Sequence, residues 1–250
     1  MKLGIIFDTH AGDGSPADDF RGVERDVLGT VDYLERTVDR TIFGGDIEEA
    51  LPGQNSGRTW KERKLNCRRA HPTFFAKIDD RALPTMADGE KRRILLGGNH
   101  DPRFARRREY LHVDHDSKLV VKITHGHEYD VFNSKYKPVG DAIAWLVGKL
   151  ERNGWPEAEH ILSGIAKRIT GSDPTSRQST YKKALKADVA RIRDQFPGYQ
   201  VIRGIGHTHV LTHEELPAGD VIFQGGKCCS GRVQYVIIDT STRHLSLKGG

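Results

Sequence analysis

The sequence predicts an α/β layered fold, and three observations carry that prediction. Short apolar runs recur along the chain, and several are continuous rather than alternating, the pattern of strands buried on both faces. Segments with helical spacing of apolar residues lie between the early runs, and strands that alternate with helices build a sheet covered by helices. Five polar clusters each follow an apolar run, and open α/β sheets bind ligands at the carboxyl ends of their strands.

In chain order, the first strand is Leu3–Phe7, which runs into Asp8-Thr9-His10. Asp13, Asp18 and Asp19 are expected in a mobile acidic loop. Phe20–Arg36 follows as a helix, with Val23, Val27, Val31 and Leu34 on one face. Thr41–Phe43 is the second strand and leads to Gly44-Gly45-Asp46; Arg68–Ile78 is expected as one helix. Ile94–Leu96 precedes Gly98-Asn99-His100-Asp101, and Leu119–Ile123 precedes His125-Gly126-His127. From Pro138 to Phe196 there is no strand signal. Ala142–Leu150, Ala158–Ile169 and Tyr181–Phe196 read as helices, separated by Gly154-Trp155-Pro156 and Gly171-Ser172-Asp173-Pro174. Tyr181, Leu185, Val189, Ile192 and Phe196 share one face. The block is expected to be a helical cap inserted in a single domain, with plain outer-layer packing as the alternative. Val201–Ile205 leads to Gly206-His207-Thr208-His209. Val221–Phe223 and Val233–Ile238 are close enough in sequence to be expected as an antiparallel pair.

With 250 residues the chain can bury a sizeable core. Its net charge of +5 fits an anionic partner, either a phosphorylated small molecule or nucleic acid, but charge speaks to steering and not to fold. Cys67, Cys228 and Cys229 are odd in number, and two are adjacent, which argues against a disulfide framework and for a reducing compartment. The N-terminus lacks signal-peptide anatomy, and no apolar stretch reaches the roughly 18 residues of a membrane span. A cytoplasmic protein is expected.

The clusters carry the chemistry. Carboxylate, imidazole and amide oxygen are the groups that bind borderline-hard divalent metals. Asp8 and His10 are two apart, so on extended chain both face one side, and His207 and His209 repeat that spacing. Gly44-Gly45 before Asp46 permits close approach of the backbone to an ion or substrate. Cys228-Cys229 is expected to be buried, because the oxygen and nitrogen set is complete without it.

Together, Asp-x-His, Gly-Asp-x-x-acid, Gly-Asn-His-acid, His-Gly and Gly-His-x-His resemble the motifs of the calcineurin-type metallophosphoesterase superfamily, over residues 8 to 209. The resemblance implies a four-layer αββα sandwich and two divalent transition-metal ions, with manganese first and iron or zinc as alternatives. It implies Asp8, His10 and His209 at one ion, Asn99, His125 and His207 at the other, and Asp46 bridging them. A carboxylate has two oxygens and can span cations about 3.5–4 Å apart. The implied reaction is in-line attack of a metal-bridging hydroxide on phosphorus, with His100 as general acid and Glu49 as its partner.

Where the superfamily's protein serine/threonine phosphatases carry an arginine after that acid, Ala50 stands here, which weighs against a protein substrate. The Gly45–Glu49 stretch and the helical block are instead similar to the UDP-2,3-diacylglucosamine hydrolase-like branch. That branch usually has arginine where His100 stands and aspartate where His127 stands, so the broad branch is implied and its lipid substrate is not.

His127, beside the site, and Arg103 and Arg106, in a basic run with Arg107 and Arg108, are the candidate substrate contacts, arginine being suited to phosphate oxygens. His71, His112, His115, His160, His213 and His244 are expected to be ordinary surface or core residues. The expected function is a metal-dependent phosphohydrolase cleaving a phosphoester or pyrophosphate of a small molecule. A nuclease or phosphodiesterase acting on nucleic acid is the alternative, though no aromatic-rich basic groove supports base stacking. A non-catalytic scaffold would be expected to lack ligands that are all present.

Overall fold

The computed structural model describes residues 1–51, 55–57, 59–79, 85–87, 89, 91–101, 107–129, 145–146, 149–150, 153, 155 and 174–249. Within them, ten strands form two five-stranded mixed sheets. The first contains β1 (Lys2–Ile6), β2 (Arg40–Phe43), β3 (Arg93–Leu95), β9 (Tyr235–Asp239) and β10 (His244–Lys248), in the order β10-β9-β1-β2-β3. The second contains β4 (Glu109–Asp114), β5 (Leu119–Thr124), β6 (Gln200–Ile205), β7 (Leu211–Glu215) and β8 (Val221–Gly225), in the order β4-β5-β6-β8-β7. Helices α1 (Glu24–Thr37), α2 (Trp60–Ala70) and α3 (Pro72–Ile78) cover the first sheet, and α4 (Pro174–Gln195) covers the second. This is the four-layer αββα arrangement.

Strand alternation builds the layers. Leu3, Ile5 and Phe7 point between the sheets and meet Leu119, Val121, Ile123, Ile202 and Phe223. Ile6 points the other way, into the core beneath α1 with Val27, Val31 and Leu34. Val120, Val201 and Ile205 meet Tyr181, Leu185, Val189 and Ile192 of α4. Both faces of the central strands are therefore buried, which is why their sequences are continuous apolar runs.

The parallel strands end level with one another. Ile6 pairs with Phe43 and Phe43 with Leu95 in the first sheet; Thr124 pairs with Ile205 and Ile205 with Gln224 in the second. At this end the Phe7 ring occupies space left by missing side chains: a Cβ at Gly44 or Gly225 would lie 2.1 Å from it. The two sheets close around that ring.

Three sequence expectations are corrected. Arg68–Ile78 is not one helix. Pro72 lacks an N–H and disfavours helical backbone before it, so His71, at φ −126° and ψ 56°, divides α2 from α3. Val221–Phe223 and Val233–Ile238 do not pair. β8 lies between β6 and β7, whereas β9 lies between β10 and β1, because the intervening chain crosses between sheets and is held by Cys228 N–H donating to Asp8 O at 3.1 Å. Finally, β4, β7 and β10 have no counterpart among the apolar runs. Each is a sheet edge with partly exposed faces, and carries residues such as Glu109, Glu214 and Lys248 in place of a run.

The last helix of the expected cap, α4, packs on the second sheet. Ala158–Ile169, most of Ala142–Leu150, and Arg103 and Arg106 lie outside the described residues. A buried polar bolt fastens α4. Arg203 Nε donates to Asp188 Oδ2 at 2.6 Å, and its Nη2 donates to Thr124 Oγ1 at 2.8 Å and Tyr129 Oη at 3.0 Å. Arg203 is fully buried, whereas Arg191, which meets the other oxygen of Asp188 at 3.1 Å, has a side chain 70% exposed. Removing Arg203 takes from the buried Asp188 its nearest charged partner and leaves it the more distant Lys122 at 3.6 Å and the exposed Arg191, so Arg203→Met should cost about 3 kcal/mol. Arg191→Met should cost less than about 1 kcal/mol. Urea unfolding of both variants measures the difference; equal losses would refute the role given to burial.

Candidate metal centre

The polar clusters are positioned by a backbone ladder that outlasts the strands. Asp8 N–H donates to Gly45 O at 3.2 Å, His10 N–H to Asp46 O at 2.9 Å and Ala11 N–H to Ile47 O at 2.9 Å. Asp8, His10, Asp46, His207 and His209 have φ of 51°, 46°, 48°, 64° and 56°. This left-handed region costs a residue with a Cβ about 1–3 kcal/mol and concentrates at functional sites. The two-apart pairs thus converge by alternate left-handed turns, not by the extended chain their spacing implied.

Backbone amides aim the carboxylates. His207 N–H donates to Asp8 Oδ2 and His100 N–H to Asp46 Oδ1, both at 2.9 Å. The second oxygens face imidazoles. Asp46 Oδ2 lies 3.0 Å from His125 Nε2 and 3.9 Å from Nε2 of both His10 and His100. Asp8 Oδ1 is buried without a hydrogen-bond partner, 3.8 Å from His10 Nε2 and from His209 Nε2. The approach depends on Gly98, where a Cβ would lie 2.0 Å from Asp46 Oδ1.

Among the described residues, three groups have donor atoms within 4.8 Å of one another: Asp8, His10 and His209; Asp46, His125 and His207; and His10, Glu49 and His100, which shares His10 with the first. Asn99 joins the second, its Oδ1 3.1 Å from His125 Nε2. The facing Nε2 atoms of His10 and His209 are 3.2 Å apart. Asp46 belongs to the second group and also reaches toward His10 of the first. An orphaned buried carboxylate oxygen and converging imidazole nitrogens, those of His207 and His209 half-buried, fit a divalent cation in each of the first two groups, since one positive charge satisfies several acceptors at once.

Charge and burial pull the two carboxyls apart. Burial and the neighbouring Asp46 raise the pKa of Asp8 despite His125. For Asp46, the charges of His125 and His100 outweigh burial and hold it well below the usual range. Burial and His10 depress His209.

Glu49 and His100 adjoin the first group. His100 Nδ1 lies 2.7 and 2.8 Å from the two Glu49 oxygens. Burial opposes charge on both, but their attraction outweighs it, lowering Glu49 and raising His100. The His127 ring is 5.4 Å from that of His125, with its pKa lowered to about 4 by burial and the His125 charge. Arg107 Nε donates to Glu109 O at 2.7 Å, and Arg108 Nη1 donates to Gly98 O at 3.2 Å. All three cysteines are buried and free.

Some supporting residues had no assigned role in the sequence. Asp101 accepts from Ile47 N–H at 2.6 Å, Glu48 N–H at 3.2 Å and Gly98 N–H at 2.7 Å, tying the second cluster to the third. Its place in the third cluster was the available signal. The ring of Tyr181 in α4 lies 6.1 Å from that of His207. The acidic loop is corrected: Asp18 is buried and accepts from the backbone N–H groups of Gly12, Gly14 and Phe20. His71, buried as well, spans Asp18 at 2.7 Å and Glu24 at 2.8 Å. No local pattern announces a contact between residues 53 apart.

No family model matches the chain, and no curated protein matches it. Among solved structures it is similar to a dimetal phosphatase from Danio rerio, with 12% identity and a TM-score of 0.51, covering 100% of this chain and 95% of that one. It also matches an archaeal phosphodiesterase (15% identity, TM-score 0.41, 100% of both chains). A third match is a 5'-nucleotidase from Candida albicans (10% identity, TM-score 0.34, 99% of this chain and 51% of that one). The first likeness bears on the fold.

The Asp18–His71–Glu24 bridge gives a pH-dependent stability. Burial opposes the His71 charge, but both carboxylates outweigh it and raise the pKa above 6.5. The stabilisation is complete below 6.5 and is lost as pH rises through the folded value. In urea unfolding, the stability gap between wild type and His71→Gln should be larger at about pH 5.5 than at about pH 9. A gap independent of pH would show that the imidazole is neutral in the fold.

Proposed function

We propose that this chain is a dinuclear metal-dependent phosphohydrolase that cleaves a phosphoester or pyrophosphate of a small molecule. The observation that carries this is the convergence of seven buried or half-buried ligand-type side chains, five of them on left-handed backbone. Asp8, His10 and His209 would hold one divalent ion, Asn99, His125 and His207 the other, and Asp46 would lie between them. Manganese suits this oxygen and nitrogen set, as do iron and zinc. Bound ions supply Lewis-acid polarisation of the phosphoryl oxygens and acidify water.

The chain's own residues do the rest. With Nδ1 of His100 engaged by Glu49, its Nε2 is the atom that delivers a proton to the leaving oxygen. His127, with Arg103 and Arg106, would take the remaining substrate oxygens. The block at 138–196 would select the non-phosphate part, a role supported by Tyr181 standing beside His207. The broad UDP-2,3-diacylglucosamine hydrolase-like branch remains the nearest motif pattern, without its substrate. A dimetal phosphatase with the same fold is compatible with this function. No described helix is long and apolar enough to cross a membrane, and three free cysteines favour the cytoplasm.

Purified protein should take up about two equivalents of manganese by elemental analysis, as a two-metal site requires. A metal-free preparation should be inactive on a phosphomonoester, a phosphodiester and a nucleotide pyrophosphate. His100→Ala should retain metal and lose about 10²–10⁴-fold in turnover on substrates with poor leaving groups. Full activity without metal would refute the proposal, and preference for single-stranded DNA in the same panel would replace the small molecule with nucleic acid.

A further inference from the structure

Glu49 serves two histidines at once. Its Oε2 lies 2.8 Å from Nδ1 of His10 and 2.7 Å from Nδ1 of His100. The two rings meet edge to face with centroids 4.7 Å apart. An ionised carboxylate has no proton to give, so each Nδ1 is a donor. That bond determines what the far side of each ring offers. His10 Nε2 faces His209 Nε2 and the orphaned Asp8 oxygen, while His100 Nε2 faces Asp46.

The carboxylate is itself held in place. Glu49 is buried, and its N–H donates to the carbonyl of Ala11, directly after His10, at 2.9 Å. Its own carbonyl accepts from Asn55 Nδ2 at 3.2 Å and from Cys67 Sγ at 3.5 Å. An aspartate on this backbone would be one methylene shorter and would withdraw from two rings approached from one side.

We propose that Glu49 is a shared positioning residue, which fixes His10 as a ligand of the ion held with Asp8 and His209 and fixes His100 as the general acid. This rests on the metal-dependent function proposed above. It deepens that function by making occupancy of one metal position and protonation of the leaving group depend on a single side chain. A residue that only oriented His100 would affect turnover and leave metal affinity alone.

The test is a manganese titration of metal-free protein, with free Mn2+ followed by electron paramagnetic resonance, alongside turnover on phosphate esters of graded leaving-group pKa. Wild type, Glu49→Gln, Glu49→Asp and His100→Ala are compared. Loss of an outer partner of a ligating histidine typically weakens metal affinity by about 10–100-fold. Both Glu49 variants should therefore bind one of two manganese equivalents about 10–100-fold more weakly. Both should also show the steeper leaving-group dependence of His100→Ala, which itself binds both equivalents as wild type does. Glu49 variants with wild-type affinity at both positions would overturn the inference and leave the phosphohydrolase proposal standing. Wild type that binds no manganese would overturn both. Circular dichroism verifies folding, and if Glu49→Gln does not fold, Glu49→Asp, which keeps the charge, decides the matter.

Discussion

Two carboxylates buried side by side are the constraint on which this structure depends. Asp8 and Asp46 are both within 1% of complete burial, and each raises the cost of charging the other. Such a pair persists only when fixed donors and positive charge surround it. The chain supplies an amide to one oxygen of each, and imidazoles of His10, His100, His125 and His209 to the others. The left-handed residues, the missing side chain at Gly98 and the level strand ends are the geometry this clustering requires.

The supports run outward in two directions. On the first sheet, Asp101 holds the backbones of Ile47, Glu48 and Gly98 in one frame, so the second and third clusters move as a unit. On the second sheet, Arg203 joins α4 to Thr124 and Tyr129, which flank His125 and His127. A donor atom misplaced by an ångström loses much of its interaction, and these buried networks remove the slack that would permit it.

Much of this was legible in the sequence, for definite reasons. The central strands are buried on both faces and so appear as apolar runs, and the clusters at their ends are local in sequence. What was not legible is either marginal or long-range. The edge strands β4, β7 and β10 carry polar residues because one side faces away from the core. The destination of β9 depends on a crossing between sheets, which nearness to β8 in sequence misrepresents. Pro72 marked the break between α2 and α3, but the apolar spacing around it suggested continuity. Asp18 and His71 are distant in sequence, and neither side chain announces the other. In the site itself, residue types and order picked out side chains that the fold brings together. The second hydrogen bond of Glu49 and the left-handed turns needed coordinates.

The strained backbone at Asp8, His10, Asp46, His207 and His209 has a further consequence. Its cost falls on the folded chain whether or not a ligand is present, and it amounts to about 1–3 kcal/mol per residue. Ions bound only by the folded state would offset it through mass action, by an amount that grows with their concentration. The lifetime of such a protein would then be coupled to metal supply. Under scarcity the metal-free molecules would be the ones that open most readily to proteases, and their abundance would decline.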